Sequence, residues 1–193
     1  MTPRRLCWIA LLGLVACGPS VHSQVRSDYE QIDRTQVRRI EVVVAPLPTG
    51  DALQGQLWSL LARRYINQHR DFIVKKHSAV AEFTLAQHCN GQEGALHLAV
   101  VPAPAGAEVA VEVQGELLRC RDGEIVWSGT VKGKWRSDEA NVAELRGHYV
   151  AELGAGVEPM VAPAFYALRA LLETLPRPNL DEAAEMEKIE LGE

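Results

Sequence analysis

The 193-residue chain carries four cysteines, six histidines and 25 carboxylates with which to do covalent or acid–base chemistry. Ser128 in "VWSGT" lacks the flanking glycines of a G-x-S-x-G nucleophile elbow, and no histidine and acid are spaced to activate it. Alternating out from Trp127, it reads as a solvent-face strand residue. "GDALQG" at 50–55 opens a helix, whose N-terminus could bind an anion, but it has neither the Walker lysine nor the third glycine of a dinucleotide fingerprint. His69, His77, His88, His97 and His148 are scattered, and His97 alternates out from Leu96 and Leu98. Glu41, Glu108, Glu112 and Glu116 read as single acids on exposed strand positions. Trp127 and Trp135 read as core, and Lys132 and Lys134 beside them as edge-strand protection. No catalytic residue, cofactor or metal ion is expected.

The thiols are more informative. Arg4 and Arg5 precede an apolar run, Leu6 to Val15, which at about ten residues is too short for a ~30 Å hydrocarbon core. That is the pattern of a secretory signal peptide rather than a membrane span. It ends in Leu14-Val15-Ala16-Cys17, which resembles the lipobox of bacterial lipoprotein signals. The resemblance implies cleavage after residue 16, a diacylglyceryl thioether on Cys17, and two or three fatty chains, palmitate among them. Since each buried methylene contributes about 0.8 kcal/mol and one chain holds only marginally, several chains make a permanent anchor. Residue 18 is Gly rather than the Asp that commonly retains Gram-negative lipoproteins at the inner membrane, so the outer membrane, facing the periplasm, is expected.

Cleavage there leaves 18 basic against 25 acidic residues, a net charge of −7. An acidic body gains no counterion-release drive toward nucleic acid. In an oxidising compartment the remaining thiols, Cys89 and Cys120, are expected to form a disulfide. They stand equidistant from the turn expected in "PAPAGA", and residues so placed face each other across a hairpin ladder. Zinc binding through His88, Cys89 and Cys120 is the competing use, and no CxxC or HxxxH spacing supports it.

The elements that would carry these groups follow from periodicity. "GPSVHSQVRSDYEQIDRTQVRR" has no sustained apolar period and reads as a tether. "IEVVVAPLP", apolar on both faces, predicts a central strand from Ile40. Asp51 and Gln54 open a helix in which Leu53, Leu57, Leu60, Leu61 and Tyr65 share one face. "DFIVK" (71–75) predicts a second strand, and Ser78 to Gln87 a short helix. Leu96, Leu98 and Val100 alternate on a third strand, Val109, Val111 and Val113 on a fourth, and Ile125, Trp127, Val131 and Trp135 on a fifth. A two-residue turn at Asp122-Gly123 would put these valines on the wrong face unless a bulge near Gly115-Glu116 restored Val113 opposite Val131. Asp138 begins a helix through Leu153, "GAG" (154–156) breaks it, and a last helix runs from about Pro159 to Leu175.

The expectation is a single α/β (α+β) domain whose mixed five-stranded sheet follows the order β-α-β-α-β-β-β-α and is packed by helices. The divisions are a signal peptide at 1–16, a lipidated N-terminus and tether at 17–38, the domain at 39–176 and an acidic tail at 177–193, a solvated helix or disordered. "VVVAPLP", the leucine-rich helix after it and "RDGEIVWSGTVKGKW" resemble the domain shared by the N-terminal part of TolB, CsgG and LpoB. The chain is also similar to uncharacterised lipoproteins of myxobacteria and spirochaetes. The resemblance implies action through assembly and partner contacts, not catalysis. The expected role is therefore a non-enzymatic envelope module, held by acyl chains on Cys17, that docks another envelope protein or itself. Carriage of a lipid or other apolar ligand between sheet and helices is the alternative.

Overall fold

The computed structural model describes residues 18–191, and its first strand lies where the sequence predicts a tether. β1 (Ser20–Val25) pairs antiparallel with the last strand of the sheet, Ser20 opposite Lys132 and Val25 opposite Trp127. Being an edge strand, it needs no apolar period; only Val21 packs against the core. Downstream, Tyr29 is buried, and α1 (Asp33–Gln36) buries Asp33 completely. Such a carboxylate must be paired, and Arg119, itself 4% exposed, donates to it. The tether is thereby corrected: residues 20–38 belong to the domain.

β2 (Ile40–Val44) is buried along its whole length, as a run apolar on both sides demands. It runs parallel to strands on either side of it. Asp51 caps α2 (Ala52–His69), accepting from the Leu53 and Gln54 amides. The buried face of α2 includes Leu57, Trp58, Leu61 and Tyr65, whereas the expected Leu53 is 44% exposed. The strand predicted at 71–75 is reduced to one bridge, Ile73 with Arg39. Ile73 bonds through its amide to Arg38 and through its carbonyl to Ile40, but the Val42 amide then reaches Lys76 rather than Lys75, so the regular ladder breaks after one bridge. The Val74 groups, which face away from β2, are held by the Asn67 side chain. Pairing resumes at β3 (His77–Ala79), and the helix expected from Ser78 shrinks to α3 (Leu85–His88).

Three twelve-residue strands make the rest: β4 (Gly94–Ala105), β5 (Glu108–Arg119) and β6 (Ile125–Arg136). The sheet has six strands, not five, in the order β1-β6-β5-β4-β2-β3. The β4–β5 turn is Gly106-Ala107 with Gly106 at φ +71°, the residue a two-residue loop needs at its first position. Between β5 and β6 the turn is wider than expected. Arg119 pairs with Glu124 around Cys120–Gly123, and Asp122 accepts from Arg119 at 2.7 and 2.9 Å. Val113 does face Val131 and Val109 faces Trp135, but the irregularity that sets this register lies at Leu117/Leu118, opposite Val126. Gly115 has another purpose. It faces Gly129, and the Trp127 ring lies over the pair, 3.0 and 2.6 Å from where a Cβ would stand on each.

The long helices cover one face: α2, then α4 (Ala143–Leu153) and α5 (Glu158–Leu172). On the other face the 80–90 segment with the short α3 covers only the β2 end and leaves β1, β6, β5 and part of β4 open. Trp58, Trp127, Leu117, Leu168 and Leu171 fill the space between, leaving the interior packed with side chains. The expected acidic tail instead holds α6 (Glu182–Leu191), which docks on the α2 end. Glu187 pairs with Arg39 and Lys75, each at 2.7 Å, and the Lys188 amine donates to the Asn67 and Phe72 carbonyls at 3.0 and 2.9 Å. Acidic composition concealed this because the basic partners lie some 110–150 residues earlier in the chain.

Candidate functional site: the uncovered face of the sheet

The face of the sheet opposite the helices carries side chains in lateral rows fixed by register. Gln24, Ser128, Glu116 and His97 form one row; His22, Thr130, Gln114 and Ala99 form the next; Ser20, Lys132, Glu112 and Val101 form a third. The first two rows line a groove of about 420 Å³. Its order is chemically decisive. A serine nucleophile needs an imidazole beside it and the acid beyond, whereas here Glu116 stands between Ser128 and His97. The groove is a shallow array of amide, hydroxyl, imidazole and carboxylate groups suited to many dispersed hydrogen bonds.

At one end of the groove a buried polar cluster is built from residues far apart in sequence. Glu41 is only 7% exposed, contrary to its expected surface position. It accepts from Ser78 Oγ at 3.2 Å and from His88 Nδ1 at 2.9 Å. Phe83 stacks between two imidazoles, its centroid 5.5 Å from His88 and 4.3 Å from His97. Burial pulls the His97 pKa below the usual histidine value, with Glu116 opposing that shift. The cluster binds the 80–90 segment to the sheet. Cys89 and Cys120 are disulfide-bonded beside it, Cα atoms 5.4 Å apart. The pairing is the expected one, but its geometry differs: Cys89 follows α3 and Cys120 lies in the β5–β6 turn, so the bond joins two loops rather than facing strand residues.

The remaining candidates disperse. Cys17 lies outside the described residues. In "GDALQG" the Asp51 carboxylate already occupies the helix N-terminus. His69 packs on Tyr65, His148 lies by Arg64 and Glu152, and His77 meets Ser59, each on the helix side or at the β3 edge. Trp127 is core, and Trp135 is half-buried over Gly133. Lys132 pairs with Glu112 at 3.0 Å, and Glu108 stands beyond it near the β4–β5 turn. Among the described residues no group of three or more metal-ligating side chains converges, and no helix is long and apolar enough to cross a membrane. Residues His22 and Gln24 complete these rows from β1, whose lack of an apolar period hides it in the sequence.

No family profile and no curated protein matches the chain. Solved structures do. PelC from Paraburkholderia phytofirmans, a dodecamer, is 17% identical over 75% of this chain and 99% of its own, with a TM-score of 0.42. Lipoprotein GNA1162 from Neisseria meningitidis is 17% identical over 62% of this chain and 97% of its own, at 0.38. Protein XCC0632 from Xanthomonas campestris, of family DUF330, is 12% identical over 70% and 87%, at 0.29. Each is a distant likeness of chain path, and none transfers an activity.

Proposed function

We propose that this is a non-enzymatic lipoprotein module of the bacterial envelope, acylated on Cys17 at the outer membrane and facing the periplasm, which docks another envelope protein. The observation that carries this reading is the one-sided cover of the sheet. Three helices shield one face, and the other presents a groove of polar rows on four strands. Interfaces of transient kind are about as polar as ordinary surface and are held by many small contacts. The likeness of "VVVAPLP" and "RDGEIVWSGTVKGKW" to domains that act by assembly supports the same reading.

The test is photo-crosslinking in intact cells with a reactive residue placed at Gln114 or Thr130 on the groove, and at Arg63 on the helix side. Adducts to one envelope protein from the groove sites alone are expected. Equal labelling from all three positions, or none, would refute the docking face.

A further inference from the structure

The sheet does not end where its flanking strands end. β2 leaves β4 after Leu98, and β1 leaves β6 at Lys132. Beyond those points β4, β5 and β6 continue as a three-stranded tongue closed by Gly106-Ala107. The tip of that tongue, Val101-Pro-Ala-Pro-Ala-Gly-Ala107, contains no polar side chain, in a chain with 23% charged residues. Val101 is 50% exposed, and Ala103, Pro104, Gly106 and Ala107 are exposed as well. Across β5, on β6, Trp135 is half-buried and Lys134 exposed, and Glu108 faces Arg136 at the base of the turn.

What covers this tip follows from where the chain arrives. β1 runs antiparallel to β6, so the residues before Ser20 come from the tongue's side of the sheet. From Lys132 to Arg136 the tongue rises four residues, about 13 Å at strand spacing. From Ser20 back to Cys17 is three residues, at most about 10–11 Å of extended chain. An anchor on Cys17 therefore cannot hold the bilayer beyond the height of the tip. The edges of the tongue also disfavour a second copy adding as a strand. Pro102 and Pro104 remove amide donors along β4, and Lys134 sits on the outer edge of β6.

We propose that the tongue tip is a bilayer-docking surface, with Val101–Ala107 entering the headgroup layer of the membrane that holds Cys17 and Trp135 lying at its interface. This rests on the lipid-anchor reading for its geometry. Small apolar residues with an amphipathic ring beside them suit that layer, and the net charge of −7 that cleavage before Cys17 would leave assigns the contact to apolar surface rather than to anionic lipid.

The test uses the full chain purified from membranes, in vesicles of phosphatidylethanolamine and phosphatidylglycerol containing acyl-brominated phosphatidylcholine. Ala103→Trp and Ala107→Trp report the tip, and Arg121→Trp reports the opposite end of the strands. Added bromine quenching about twofold or more above the Arg121→Trp control is expected at both tip sites. Equal quenching at tip and control would overturn the proposal, as would an unquenched tip buried in a dimer by sedimentation. Intact mass of the same samples reads the anchor separately. Acylated protein with an unquenched tip removes this proposal alone, acyl-free protein with a quenched tip removes the anchor alone, and acyl-free, unquenched protein removes both.

Discussion

The side chain that fixes most of the β5–β6 end is Arg119, which joins α1 to the turn through Asp33 and Asp122. Breaking a buried ion pair by removing one partner costs about 3–5 kcal/mol, because the other charge stays buried. Arg119→Ala should lower stability by that order in urea denaturation, and Arg119→Lys should recover only part, since lysine cannot make the forked contact. Asp122 adds a pH dependence. Arg119 holds its carboxyl down to about 2, below the unfolded value of about 3.9. The unfolded chain thus binds more protons in that interval, so this contribution is fully present above about pH 4 and is lost as pH falls toward 2. Asp122→Asn should flatten that part of the acid limb. Gly129 is a second such position: Gly129→Ala would put a methyl group 2.6 Å from the Trp127 ring and should cost about 1–3 kcal/mol by overpacking. What was legible here was local. The Asp51 cap could be read because donor and acceptor lie two and three residues apart, whereas Asp33–Arg119 spans 86.

Among elements, those that bury one face announced themselves and those that do not were missed. The valines of β5, the leucines of β4 and the three consecutive valines of β2 gave both their type and, for Val113 and Val131, their register. β1 is illegible because an edge strand has no apolar period to show, and for α6 the acidic composition allows a helix but hides its docking. The strand expected at 71–75 reduces to one bridge because the β2 ladder slips by a residue after Ile73, the Val42 amide bonding to Lys76. α6 lends itself to a discriminating measurement. If Lys188 closes the carbonyl end of α2, Lys188→Ala should cost about 1.5–3 kcal/mol, the range for hydrogen bonds to a charged group. A solvated tail would give a change within about 0.5 kcal/mol. Chemical denaturation of the single variant, with Lys188→Arg as the charge-retaining control, separates the two.

For the molecule as a whole, bringing residues 20–38 into the sheet changes what an anchor on Cys17 does. A tether of some twenty residues would let the domain search tens of ångströms; with only Gly18 and Pro19 between Cys17 and β1, an anchor on Cys17 would hold the domain against its bilayer. Fold and any such attachment are separable, because among the described residues the core is built from Tyr29 onward with only Val21 contributing before it. Cys17→Ser should therefore leave the denaturation midpoint unchanged, within the roughly 0.5 kcal/mol typical of positions outside the core. It should also move the protein from the membrane fraction to the soluble one. The tip of the tongue is too small to prevent this: several acyl chains, at about 0.8 kcal/mol per buried methylene, would far exceed what seven small residues could contribute. Fractionation after a high-salt wash, with circular dichroism on the released material, reads both halves at once. Retention of folded Cys17→Ser protein in washed membranes would mean that protein surface rather than lipid does the holding, and loss of the folded spectrum would mean that attachment and fold are coupled.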